Sequence, residues 1–146
     1  MIVLLIRFLP FPYRYNLTVQ GKEVTVDGEV LENVIIKIRV WKLDYLFKED
    51  KLEGNIEIIS NEMTIKTMYI GSIYQKSEKM YRATIAYFNS KYNDTYFGKI
   101  VFNDKFDIFQ IIIGDGYDEE RYFVGSKNNQ IKPKDILLEC QGVISN

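Results

Sequence analysis

An all-β fold is predicted for this chain of 146 residues, in the form of one antiparallel up-and-down meander curled into a small closed barrel. Three observations predict it. From Val34 to Leu43 apolar and polar residues alternate with period two, so Val34, Ile36, Ile38 and Val40 share one face of a pleat and Lys37, Arg39 and Trp41 share the other. Short apolar runs recur between clusters of Gly, Asn, Asp and Ser at hairpin spacing. No long stretch carries the 3.6-residue period of an amphipathic helix. Closure is favoured over the alternative, a two-sheet sandwich, because connections this short suit a meander and closure removes the exposed sheet edges. Nine to eleven strands and at most one or two short helical turns are expected.

Ile2 to Phe11 is apolar, but Arg7 interrupts it and Pro10 and Pro12 follow, so a first strand or apolar flap is expected rather than a signal peptide or membrane span. Tyr13 to Gln20 is a strand, Gly21-Lys22 suits a type II′ turn, and Glu23 to Val26 returns to Asp27-Gly28. That dipeptide is a strong hairpin signal because both central positions need positive φ. Val30 to Leu43 is the long strand, with a break or bulge near Glu32-Asn33. Asp44 to Lys51 is a loop or a single docked helical turn. Glu53 to Ile59 and Met63 to Ile70 flank a turn at Ser60-Asn61-Glu62, and Gly71 marks a bend before the strand is prolonged to Gln75.

Met80 to Phe88 sets Tyr81, Ala83, Ile85 and Tyr87 on one face and Arg82, Thr84, Ala86 and Phe88 on the other. Thr95 to Phe102 and Phe106 to Ile113 make a second hairpin. The latter run is apolar on both faces, with Phe106, Ile108 and Ile112 opposite Phe109, Ile111 and Ile113. Something must shelter its outer side, and a homodimer is one way to do so. Arg121 to Val124 is a short strand. Asp135 to Ile144 is expected as the closing strand, although Pro133 at a first helical position also permits a short helix through Cys140.

With 47% hydrophobic and 27% charged residues, the composition is that of one globular domain rather than a disordered or membrane-embedded chain. A net charge of −1 supplies no field for nucleic acid or an anionic membrane, so neither is expected as a partner. Charge is nevertheless blocked. Met63 to Asn103 holds six cations against two carboxylates, and Asp104 to Glu120 holds six carboxylates against Lys105. Such blocks are ordinarily solvated faces, with a polar partner surface as the other origin. The single cysteine, Cys140, excludes an intramolecular disulfide and a cysteine zinc cluster, and a cytoplasmic protein is the default expectation.

Catalytic equipment is sparse. Without histidine the chain lacks the side chain best suited to proton transfer near neutral pH, and the phosphate-loop and dinucleotide glycine patterns are missing too. Asp107, between Phe106 and Ile108, is expected to reach solvent or a cross-strand lysine rather than to act as a buried acid. Asp115, Asp118, Glu119 and Glu120 gather oxygens in one loop without the ligand alternation of an EF-hand, so an ordinary solvated turn is expected and no metal site. Cys140 reads as a small core residue.

Eleven tyrosines and nine phenylalanines remain as the chief functional signal, since aromatic side chains pack strands but also enrich binding surfaces. A non-enzymatic binding protein is therefore expected, one that occupies a protein partner as an inhibitor, immunity-type or adaptor protein does, without a cofactor. Arg39, Trp41, Tyr81, Arg82 and Tyr87 are its candidate binding residues. The alternative is a carrier with a small molecule in the barrel lumen or mouth, and the third is an enzyme built on carboxylates or tyrosine. A filled interior favours contact, whereas an aromatic-lined cavity of roughly several hundred Å³ favours carriage.

Overall fold

In a computed structural model, residues 9–46, 48–75, 79–89, 92–114 and 120–144 are described, and eight strands among them close into one antiparallel ring. The strands are β1 (Phe11–Val24), β2 (Val30–Asp44), β3 (Lys51–Ile59), β4 (Thr64–Gln75), β5 (Met80–Asn89), β6 (Asp94–Asn103), β7 (Ile108–Ile113) and β8 (Arg121–Ser126). Each pairs with the next in sequence and β8 returns to β1. A helix, α1 (Pro133–Ile144), follows the ring. Among the described residues no helix is long and apolar enough to cross a membrane.

The inward alternation of β2 runs as the sequence predicts, with Val34, Ile36, Ile38 and Val40 all buried. They join one cluster of twenty buried side chains among the described residues inside the ring, with Phe102, Phe106, Phe109 and Phe123 as the largest that are fully buried. A turn forms at Asp27-Gly28, but Gly28 alone takes positive φ, at 87°, where the sequence predicts it at both central positions, and its N–H donates to the Thr25 carbonyl at 2.9 Å. The irregularity expected near Glu32-Asn33 falls at Leu31, where pairing slips between Glu23↔Glu32 and Val24↔Val30. The bend expected around Gly71 appears as a register shift between Ile70 and Ile73.

Three expectations are corrected. Gly21-Lys22 is not a turn, and β1 runs unbroken through it, which merges two expected strands into one. Glycine is needed there for close approach, since a Cβ at Gly21 would lie 2.9 Å from the Val124 carbonyl oxygen and against Ile36. At this point β1 swings over to β8, pairing with it across Lys22–Val24 alone, and the ring closes along that short seam. Phe106 is not a strand residue with an outward side chain. It lies in the β6–β7 turn with φ of 56°, and its ring is stacked inward on Phe102 at 4.3 Å.

The third correction concerns the C-terminus, where Asp135 to Ile144 is helix rather than closing strand. Pro133 takes the first helical position, where its missing N–H costs nothing. Ile136, Leu137 and Cys140 then fall on one face. They bury themselves against the outward side chains Val24, Met80, Val101, Ile108 and Val124. Burying each large aliphatic side chain contributes about 1.5–3 kcal/mol. This helix is the shelter that the two-sided apolar character of β7 demands, and all six residues of β7 are buried beneath it or inside the ring. The apolar outer side of β7 is thus covered by the same chain. Residues 1–8, which include most of the expected first strand, and Phe47 of the β2–β3 loop lie outside the described residues.

Candidate functional site

Outside the ring, β1, β2 and β3 present a surface that α1 does not reach. Its register follows from the long hairpin: Arg14 stands opposite Trp41, Asn16 opposite Arg39 and Thr18 opposite Lys37. The Arg14 guanidinium lies 5.6 Å from the Trp41 ring centroid, a cation–π pair on a tryptophan that is 44% exposed. Lys37 faces Glu57 across the sheet, but Arg39 stands between Asn16 and Asn55, with no carboxylate directly opposite. Toward the same end of the hairpin Phe11 and Tyr13 are exposed too, but they stand opposite Asp44 and Lys42 and so belong to the inward side, at the barrel mouth. Arg14, Lys37, Arg39 and Trp41 are held by register on one outer sheet face.

The mouth of the barrel at that end contains a second group. Lys42 continues the inward alternation two residues beyond Val40 and is 5% exposed. Its Nζ lies 3.3 Å from Asp44, 3.7 Å from Asp104 and 4.5 Å from the Tyr81 ring centroid. The Tyr15 hydroxyl donates to the Asp104 carbonyl oxygen at 2.9 Å, and its ring packs 4.8 Å from Phe106. Burial draws the Lys42 ammonium down in pKa, but Asp44, Tyr81 and Asp104 outweigh it and leave the group above its ordinary value. Burial, against the opposing charge of Lys42, also raises Tyr15 and Tyr81. At neutral pH the ammonium is charged and both phenols are protonated. The mouth consequently holds one ammonium between two carboxylates, beside the Phe102–Phe106 stack.

At the opposite end, the Arg121 Nε and Nη2 groups donate to the two carboxylate oxygens of Glu23 at 2.8 and 3.0 Å. That bidentate pair is the stronger geometry for an arginine and carboxylate. Asp107 lies in the β6–β7 turn, where its N–H and that of Ile108 donate to the Asn103 side chain. Of the acidic loop only Glu120 is described, and it accepts from the Tyr122 hydroxyl at 2.9 Å; Asp115, Asp118 and Glu119 lie outside the described residues. Cys140 is buried under α1, and burial, with Glu139 nearby, pushes its thiol up to about 12.

The five candidate binding residues fall in four places. Arg39 and Trp41 share the bare outer face, Tyr81 lines the mouth, and Tyr87 is buried in the interior cluster near Tyr96. Arg82 is half-buried on the outer side of β5, opposite Val101 of β6. Sequence reasoning missed Arg14 and Lys42. Lys42 was readable by parity with Val40, and Arg14 becomes the partner of Trp41 once the hairpin is counted from Asp27-Gly28 without a turn at Gly21. Compared with protein-family models, with curated proteins and with solved structures, the chain matches none.

Proposed function

We propose that this protein is a non-enzymatic binding protein that works by occupying a protein partner, and that the partner sits on the bare outer face of β1 and β2. The observation that carries the proposal is the Arg14–Trp41 pair beside Arg39, exposed on the sheet with none of the described elements packed over it. Tryptophan, tyrosine and arginine dominate the energetics of protein interfaces because they bring large area or planar hydrogen bonding at modest entropic cost. The interior supports contact over carriage, since the side chains that point into the ring are packed against one another as one buried cluster. An inhibitor, immunity-type or adaptor role follows from such a surface, because each acts by covering a partner's site.

A photo-crosslinking side chain placed at position 39 tests this in the protein's own host, with position 138 on the outer side of α1 as the control. Leu138 is 69% exposed, so it is equally accessible to a partner. The expected result is one discrete adduct from position 39, abolished when Trp41→Ala is added, and none from position 138. Adducts from position 138 alone, or an adduct at 39 indifferent to Trp41→Ala, would overturn the assignment.

A further inference from the structure

β1 is 14 residues long, yet it pairs with β8 only across Lys22–Val24. β8 ends at Ser126, where the chain turns off toward α1, so from Phe11 to Gly21 the second edge of β1 has no strand beside it among the described residues. Pairing of β1 with β2 runs without a bulge from Phe11 to Glu23, and along such a strand the backbone groups of successive residues point to opposite sides. The Gln20 carbonyl accepts from the Asn129 side-chain amide at 3.1 Å across the seam, so it faces away from β2. By alternation Thr18, Asn16, Arg14 and Pro12 face the same way.

This edge is complementary to itself. It offers the N–H groups of Arg14, Asn16, Thr18 and Gln20 and the carbonyls of Pro12, Arg14, Asn16 and Thr18, on residues whose side chains are all exposed. The midpoint between Pro12 and Gln20 is Asn16. A two-fold rotation about that point sets Asn16 against itself, Arg14 against Thr18 and Pro12 against Gln20, so each donor meets an acceptor. The one mismatch cancels: Pro12 has no N–H, and it falls opposite the Gln20 carbonyl that Asn129 already occupies. Beyond these ends pairing stops, since Lys22 belongs to β8.

We propose that two copies of this chain pair through the free edges of β1, antiparallel about a two-fold axis at Asn16. Strand edges invite such pairing unless charge, proline or a bulge guards them. Arg14 is the only charged residue between Phe11 and Gly21, and its guanidinium leans across β2 onto Trp41, away from the edge. In the paired register it lies beside Thr18 of the other copy, not beside its own equivalent. On the inward side Tyr15 adjoins Leu17 of the other copy, and Tyr13, 53% exposed in the single chain, adjoins Val19. The outer faces of β1 and β2 from both copies then form one continuous surface. The pairing itself does not rest on what that surface binds.

Sedimentation equilibrium of the full-length protein over a range of concentrations is expected to give a mass that rises from one chain to two. Asn16→Pro deletes a donor from each copy at the centre of the ladder and costs β2 no bond, because that N–H faces away from it. It is expected to raise the dimer Kd at least about tenfold. Asn16→Lys and Asn16→Asp leave the backbone alone, and each sets like charges against each other and weakens the dimer. Mixing these two variants, both checked for native circular dichroism, brings opposite charges together and restores it. A mass of one chain at every concentration up to about 1 mM would overturn the proposal. So would a dimer indifferent to Asn16→Pro, or a mixture that pairs no better than either variant alone.

Discussion

The outer surface of the barrel has two halves that share a backbone and differ in what covers it. On β7 and β8 the outward side chains Ile108 and Val124 are buried under Ile136, Leu137 and Cys140. On β1 and β2 the outward side chains at the same kind of position are Arg14, Arg39 and Trp41, and no described element packs over them. The first half shows what a sheet face looks like when burial maintains it, with every residue of β7 apolar except Gln110. On the second, an exposed tryptophan stacked on an arginine contributes little to the fold and a great deal to any surface that meets it. The covered and uncovered faces are thus neighbouring arcs of one ring, joined where β1 pairs with β8.

The most severe test of the covered half is chemical. With its thiol pushed up to about 12, Cys140 is alkylated in the native protein at pH 8 on the order of a thousandfold more slowly than an exposed cysteine, and at the ordinary rate once urea unfolds the chain. Fast labelling of the folded protein would mean that α1 does not stay docked. Leu137→Ala, which removes a contact between α1 and the sheet, is expected to cost about 2–4 kcal/mol by urea denaturation. Gly28→Ala should cost about 1–2 kcal/mol for its positive φ. A Cβ there would also fall 2.7 Å from Lys134 Cγ, since the β1–β2 turn packs on the helix.

A smaller effect is expected from the mouth on the uncovered side. Lys42, Tyr15 and Tyr81 all have folded-state pKa values above their ordinary ones. The folded protein therefore holds their protons more tightly than the unfolded chain does. Stability from these groups is complete below about pH 10 and drains away as pH rises through the folded values. The urea midpoint should fall between pH 9 and pH 11. Tyr15→Phe together with Tyr81→Phe should flatten that fall, and an unchanged slope would mean the cluster is not coupled as drawn. The smallest stability effect belongs to the bare face, where Trp41→Ala and Arg39→Ala are expected to stay within about 0.5 kcal/mol of the wild type.

Much of this division was legible beforehand, and the failures have physical causes. The alternation of β2 and the two-sided apolar character of β7 can be read from period two alone, so both the barrel and the need for a cover were accessible. What covers β7 was not, because the apolar run Ile136 to Leu138, extended by Val143 and Ile144, also suits a strand covered on both faces, and twelve residues are too few for the period to decide. Gly21 misled for a different reason. A glycine that permits a turn and a glycine that lets another strand approach look the same in sequence, and only the Val124 carbonyl against it distinguishes them. That one misplacement hid the register that brings Arg14 to Trp41. Tyr81, Arg82 and Tyr87 share a strand with clear alternation, yet the pattern could not say which of its two faces the ring encloses.

The separation of stability from contact is tested most directly by one paired measurement on Trp41→Ala and Leu137→Ala: the urea midpoint of each, and the affinity of each, folded, for the partner identified by crosslinking. Trp41→Ala should keep the wild-type midpoint and lose at least about tenfold in affinity, an interface hot spot being worth 2 kcal/mol or more. Leu137→Ala should lose stability and bind normally while folded. A Trp41→Ala protein that binds as the wild type does, or that unfolds as readily as Leu137→Ala, would contradict the account.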